Sequence, residues 1–329
     1  MPVRHLHILT PGPSRPIESL HTDDMASIRL RIAPAAQAIV AQGGMVTMGD
    51  QCPAEASDIL VSKIGAADIT TRAKHWLSQI EIQRSNGNRI ILDYTDHHLA
   101  SSSPMSPFYR AVMAAIDVIV TPTPALNAEI KTHSNIDATC LVIDDLLEFS
   151  PRPPKTTAAS ARHTTALWFG HPSNAKFLCE LIENWPQFEK PCELLVVSSQ
   201  QTLQILKSHP FKEAPKITIK MTPWSRDILS TIADEVDFSV IPSSMQSVKQ
   251  FASNNRLVTS LALGLPTLAT TLPSYQEFSD YFLPLTHENI LKLIGDPTAH
   301  TDCVSAFQNN VCSRFSLENI ILKWQQLFS

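Results

Sequence analysis

The feature that most constrains the fold is a rhythm that runs along the chain twice. Short runs rich in Ile, Val and Leu, bounded by polar residues or Pro, alternate with segments of helical pattern. The first series is RHLHILT (4–10), GMVTM (44–48), DILVSK (58–63), NRIILDYT (88–95), DVIVT (117–121) and ATCLVID (138–144). The second is TALWFG (165–170), CELLVVSS (192–199), KITIKM (216–221), VDFSVIP (236–242) and PTLAT (266–270). Runs this short and this continuously apolar suit strands covered by helices on both faces, as in a parallel sheet. Hydroxyl-Pro pairs mark helix starts between them, at Ser106-Pro107 and Thr123-Pro124. The pattern predicts an α/β protein with two doubly wound, Rossmann-like domains, each presenting the carboxyl ends of its strands to a central cleft.

Length agrees with that division, because 329 residues exceed what one core of roughly 150 residues requires. Between the two series lies SPRPPKTTAASARHTT, rich in Pro, Ser, Thr and Ala. The expected boundaries are an amino-terminal domain over 1–150, a linker over 151–164, a carboxy-terminal domain over 165–310, and a final helix over 311–329 that packs back on the first domain. A net charge of −5 with no long basic run argues against a nucleic-acid groove. Six scattered cysteines form no CxxC pair, so reduced thiols are expected in place of disulfides or a zinc ribbon. No run reaches the ~18 apolar residues of a membrane span, and the first residues lack a signal-peptide pattern. A cytoplasmic protein is expected, with contact at a membrane surface left open.

The richest stretch is SNNRLVTSLALGLPTLAT, from Ser253 to Thr270. Ser253 and Asn254 are capping residues, Asn255 and Arg256 fall in the first turn, and Gly264 offers a left-handed stop before Pro266. An Arg at a helix N-terminus opposes the macrodipole unless an anion sits there, and Lys249 adds a second cation just upstream. Free backbone N–H groups, partial positive charge and two cations describe a phosphate seat. A capped helix with solvated charges is the plainer alternative.

Residues 236–278 resemble the donor-binding segment of GT-B glycosyltransferases, in particular the retaining nucleotide-sugar transferases of the group 1 type. Asp237, Pro242, Ser243, Arg256, Gly264, Leu265, Pro266, Ala269 and Thr270 match that pattern. The paired Glu residues of that group are missing: Thr259 stands at the second position, and no acidic residue lies between Asp237 and Glu277. Retention or inversion is therefore left open. The resemblance implies a nucleotide sugar as donor, a glycan, lipid-linked sugar or small molecule as acceptor, and no metal or other cofactor, in keeping with the lack of an Asp-x-Asp motif. It further implies that Gly170, His171 and Asn174, in the loop after TALWFG, touch donor phosphates, and that Trp224 borders the base.

In the first half, Arg29 and Arg31 follow Asp23 and Asp24 within TDDMASIRLRI. The arginines, with Lys63 at the end of DILVSK, are candidate contacts for an anionic acceptor or donor phosphate. Asp23, Asp24, Asp96 and His97 compete as the base that takes a proton from the acceptor hydroxyl. A helix start with acidic residues in its first turn explains Asp23 and Asp24 without catalysis. Two further readings keep the fold: a nucleotide-sugar epimerase, and a sugar-nucleotide-binding pseudo-transferase without turnover.

Overall fold

A computed structural model describes residues 4–13, 15–99, 103–133, 136–156, 163–211, 216–225, 227–245 and 248–329. The chain divides into two compact units: Met1–Leu147 with Phe251–Ser253 and Arg314–Ser329, and Glu148–Gln250 with Asn254–Ser313.

The first unit runs β1 (His5–Leu9), α1 (Ala33–Ala41), β2 (Met45–Gly49), β3 (Asp58–Val61), α2 (Ala66–Ser85), β4 (Arg89–Asp93), α3 (Ser106–Val112), β5 (Val118–Thr121), α4 (Pro124–Lys131) and β6 (Thr139–Val142). The sheet is parallel throughout, in the order β2-β1-β3-β4-β5-β6. Strand alternation sorts its side chains into two cores. Leu6, Ile8, Leu60, Ile91 and Val120 meet α1 and the carboxy-terminal helix on one face, while Leu9, Ile59, Val61, Ile90, Leu92 and Ile119 meet Trp76, Ile80, Phe108 and Leu126 on the other. Both faces are covered, which is why β3, β4 and β5 read as near-continuous apolar runs.

The second unit runs β7 (Thr164–Gly170), α5 (Ala175–Glu183), β8 (Cys192–Ser198), α6 (Gln200–Ser208), β9 (Thr218–Pro223), α7 (Ile228–Ile232), β10 (Phe238–Ile241), α8 (Asn255–Ala262), β11 (Thr267–Ala269), β12 (Leu283–Pro284), α9 (His287–Gly295) and α10 (Thr301–Asn310). Its parallel sheet has the order β12-β11-β10-β7-β8-β9. Counted within the unit this is the Rossmann order 3-2-1-4-5-6, with the switch point between β7 and β10. Ala166, Trp168, Val196, Phe238 and Val240 form one core, and Leu167, Phe169, Leu195 and Val197 the other.

Several local expectations change. Thr123 caps α4, its Oγ1 accepting from Leu126 N at 3.2 Å, but Ser106 lies inside α3 and donates its hydroxyl to His98 O at 2.6 Å. Asp23 and Asp24 do not open a helix. Asp23 closes the 3-10 turn Ile17–Thr22, and one turn of π-helix, Ile28–Ile32, leads into α1. Of the linker, residues 157–162 lie outside the described residues. Residues 151–156 are packed on the second unit: Arg152 N donates to Ala262 O at 2.8 Å, and its guanidinium pairs with Asp234. The final helix, α11 (Leu317–Phe328), is capped by Ser316 and packs on α1 in the first unit. No described helix is long and apolar enough to cross a membrane.

Candidate functional site

At the switch point of the second sheet, β7 ends at Gly170 and β10 runs into Pro242 and Ser243. Helix α8 begins here as well. Asn254 is its N-cap residue, yet its side chain makes no capping bond, and both its Oδ1 and Nδ2 are buried without a hydrogen-bond partner among the described residues. Ser253 is no cap either, since its hydroxyl donates to Asp145 in the first unit's share of the chain. Arg256 Nη1 is buried and likewise unpartnered, beside Gly170. Burial raises the pKa of the Tyr275 hydroxyl, and the adjacent Arg256 guanidinium opposes that rise, so the pair is a neutral phenol against a cation. Buried polar atoms are normally satisfied by protein or by what binds there. Here an amide, a guanidinium and the first N–H groups of α8 converge with donors to spare.

The remaining donor-side candidates also belong to the second unit. Asn174 is buried with its Oδ1 unpartnered, at the start of α5. His171 is exposed, and its Nδ1 accepts from Ser173 N at 3.3 Å, which caps the short turn Pro172–Asn174. Trp224 follows β9, its N–H bonded to Ser198 O at 2.8 Å and its ring resting partly on the Leu167–Val197 core. Lys249 lies in the turn Val248–Phe251, and Asn255 accepts from Thr259 Oγ1 at 3.1 Å. That last bond shows what occupies the second Glu position of the retaining group: Thr259 is buried and turned back on its own helix. Sequence reasoning matched Ser243 to the pattern without giving it a role, and did not select Tyr275; Ser243 Oγ is buried with no partner among the described residues, while its N–H bonds Thr270 Oγ1 at 2.9 Å. The Pro-Ser strand end was the signal for Ser243; nothing in spacing marked Tyr275.

In the first unit the candidates separate. Lys63 pairs with Asp96 beyond the ends of β3 and β4, both side chains partly accessible. Burial works against the Lys63 ammonium, but Asp96, Asp93 and Asp145 outweigh it and hold its pKa above the usual lysine value. Arg31 is used internally. Its Nε donates to Asp93 Oδ1 at 2.6 Å and its Nη1 to Ile143 O at 2.8 Å and Asp145 Oδ1 at 2.9 Å, with the side chain 2% exposed. Burial disfavours this cation, and the two carboxylates more than restore it. Such a residue knits the sheet to the segment after β6, while its Nη2 is buried without a partner among the described residues. Arg29 is buried too and donates to Asp23 O at 2.5 Å. Asp23 accepts from Met25 N at 2.6 Å and pairs with Arg15, which makes it a local anchor; Asp24 is exposed. His97 and His98 are buried, His98 stacked on Tyr109 with ring centroids 4.9 Å apart and His97 set between Glu129, His133 and Phe251.

No family model and no curated protein matches the sequence. Solved structures do. HepE from Anabaena, in complex with UDP and glucose, superposes with a TM-score of 0.67 at 11% identity, covering 99% of each chain. The fold is that of the GT-B glycosyltransferases. Sucrose-phosphate synthase from Thermosynechococcus elongatus shares it, with a TM-score of 0.63 at 11% identity over 99% of this chain and 98% of its own.

Proposed function

We propose that this GT-B chain is a glycosyltransferase that moves a sugar from a nucleotide-activated donor to a glycan, lipid-linked or small-molecule acceptor. The single observation that carries the proposal is the convergence of Asn254, Arg256 and the start of α8, with buried polar atoms unmatched by partners among the described residues, on the switch point of a Rossmann sheet. A diphosphate supplies what those groups lack: several acceptor oxygens and negative charge at a helix N-terminus. HepE crystallised with UDP and with UDP-glucose supports the choice of ligand class.

In this scheme Arg256 and the N–H groups of α8 neutralise the leaving diphosphate, with Asn174, Lys249 and His171 assisting and Trp224 near the base. Charge on the departing phosphate is then met by fixed protein donors, so the scheme requires no metal at this point. The first unit supplies the acceptor side, where Lys63 and Asp96 are the accessible pair, Asp96 accepting the acceptor's proton. The missing acidic residues between Asp237 and Glu277 favour one second reading, a protein that binds the sugar nucleotide without turning it over.

A thermal-shift screen against UDP, GDP, ADP, TDP, CMP and their sugar conjugates tests binding, because a ligand at 100 times its Kd stabilises the folded state by about 2.7 kcal/mol. One nucleotide raising Tm selectively, with the rise lost in Arg256→Ala, is the expected result. No shift with any nucleotide removes the donor-site assignment. Binding without transfer or hydrolysis across acceptors leaves the non-catalytic reading.

A further inference from the structure

We infer that His97, Glu129 and His133 form a divalent transition-metal site, of the zinc class, within the first unit. One ligand atom from each lies within 4.8 Å of the others. His97 Nε2 stands 3.6 Å from Glu129 Oε1, and the two imidazole rings have centroids 5.7 Å apart. Two nitrogens and a carboxylate oxygen are the donor set that zinc and its neighbours take, with bonds of roughly 2.0–2.2 Å that place ligand atoms some 3.3 Å apart around a tetrahedral ion. Side-chain torsions cover the remaining difference.

The chain builds this arrangement from rigid pieces. Glu129 and His133 are four residues apart at the end of α4, and His133 N donates to Ile130 O at 3.0 Å, so the helical turn carries past Lys131 and sets both side chains on one face. His97 comes from the loop after β4, where the Tyr94 hydroxyl accepts from His98 N at 2.6 Å and from Leu99 N at 3.0 Å. Phe251 packs edge-on against the His97 ring at 5.4 Å.

The independent sign of a ligand is unmet bonding capacity. His97 is 3% exposed, and neither of its ring nitrogens has a hydrogen-bond partner among the described residues; His133 Nε2 is buried and also unpartnered. A buried neutral imidazole ordinarily finds a donor and an acceptor. The Glu129 contact, at 3.6 Å, is too long for a hydrogen bond and would serve only one of these three atoms. A metal ion satisfies one nitrogen on each ring and the carboxylate together. Three protein ligands leave a fourth position for water, and the ion would tie the loop bearing Asp96 to α4. All three ligands belong to the first unit.

Full-length protein, stripped with chelator and free of nucleotide, is titrated with Co2+ alone. The expected result is one equivalent bound, with the visible ligand-field bands of a four- or five-coordinate ion, displaced stoichiometrically by Zn2+. His133→Ala, at a partly exposed position, should weaken binding at least about 100-fold while its Tm in chelator equals the parent's, and Glu129→Gln about 10-fold. Absence of saturable one-to-one binding overturns the site, as does undiminished binding in His133→Ala. Because no nucleotide is present, either result stands whatever the donor screen shows.

Discussion

The guanidinium of Arg256 lies beside Gly170: a Cβ built on the glycine would stand in ordinary contact with Nη1, at 3.5 Å, and tight against the Trp168 ring, at 3.1 Å. The relationship joins the end of β7 to the first turn of α8, and it makes the glycine a spacer for the cation. Arg256→Ala should weaken binding of the selected nucleotide by roughly 100-fold, the scale of a lost charge-assisted bond pair, and shift Tm by only a few degrees. Gly170→Val should weaken it as well, because its side chain would meet both the Trp168 ring and the Arg256 guanidinium. Isothermal titration decides: unchanged affinity in Arg256→Ala, or a collapse of Tm with affinity intact, sinks the anion-seat assignment.

Asp96 is a partly accessible carboxylate beyond the ends of β3 and β4, held beside Lys63. If it takes the acceptor's proton, Asp96→Asn should lower kcat by about 10²–10⁴ while leaving nucleotide affinity at the parental value. A kcat within threefold of the parent would place the base elsewhere.

The sheet architecture was legible because strands buried on both faces have little choice of composition: β3, β4 and β5 in the first unit, and β8 in the second, announce themselves by runs of Ile, Val and Leu. The Gly-Leu-Pro stop and the Arg-led helix were legible for the same local reason. Tertiary partnering was not. Arg31 reads as a contact for an anionic acceptor or donor phosphate until Asp93 and Asp145, 62 and 114 residues away, are seen to claim it. Ser253 reads as a cap until Asp145 takes its hydroxyl. Two-residue β12 carried no periodic signal at all.

Arg31 offers a test of that correction. Removing the guanidinium leaves Asp93, fully buried, and Asp145 without their shared cation. Arg31→Met should destabilise the protein by roughly 3–5 kcal/mol in urea unfolding, the cost of stranding a buried charge, and adding Asp93→Asn should recover part of it. A loss below about 1 kcal/mol would return Arg31 to the pool of ligand contacts.

Gly264 and Gly87 both have positive φ, +80° and +81°, but differ in surroundings. A Cβ on Gly264 would lie 2.7 Å from the carbonyl oxygens of Arg152 and Pro153, whereas Gly87 has nothing within 4 Å. Gly87→Ala should therefore cost only the left-handed backbone term of about 1–2 kcal/mol. Gly264→Ala must also displace main chain, and should cost at least about 2 kcal/mol more, measured as the difference in urea midpoints. Equal costs would mean that residues 152–153 yield freely.

His7 gives stability a defined pH dependence. Burial lowers its pKa from 6.5 to about 4, His5 adds to the drop, and the Gly49 backbone opposes it. Above pH 6.5 the imidazole is neutral in both the folded and the unfolded chain, so its contribution is constant. As pH falls from 6.5 toward 4 the unfolded chain takes up the proton and the folded chain does not, which draws the equilibrium toward unfolding by up to roughly 3 kcal/mol. Between about pH 7.5 and pH 5 the parent should lose some 2 kcal/mol more than His7→Gln, which cannot titrate there. Parallel losses in parent and variant would show that His7 is protonated inside the fold, with Thr47, 2.9 Å from its Nδ1, accepting the hydrogen bond.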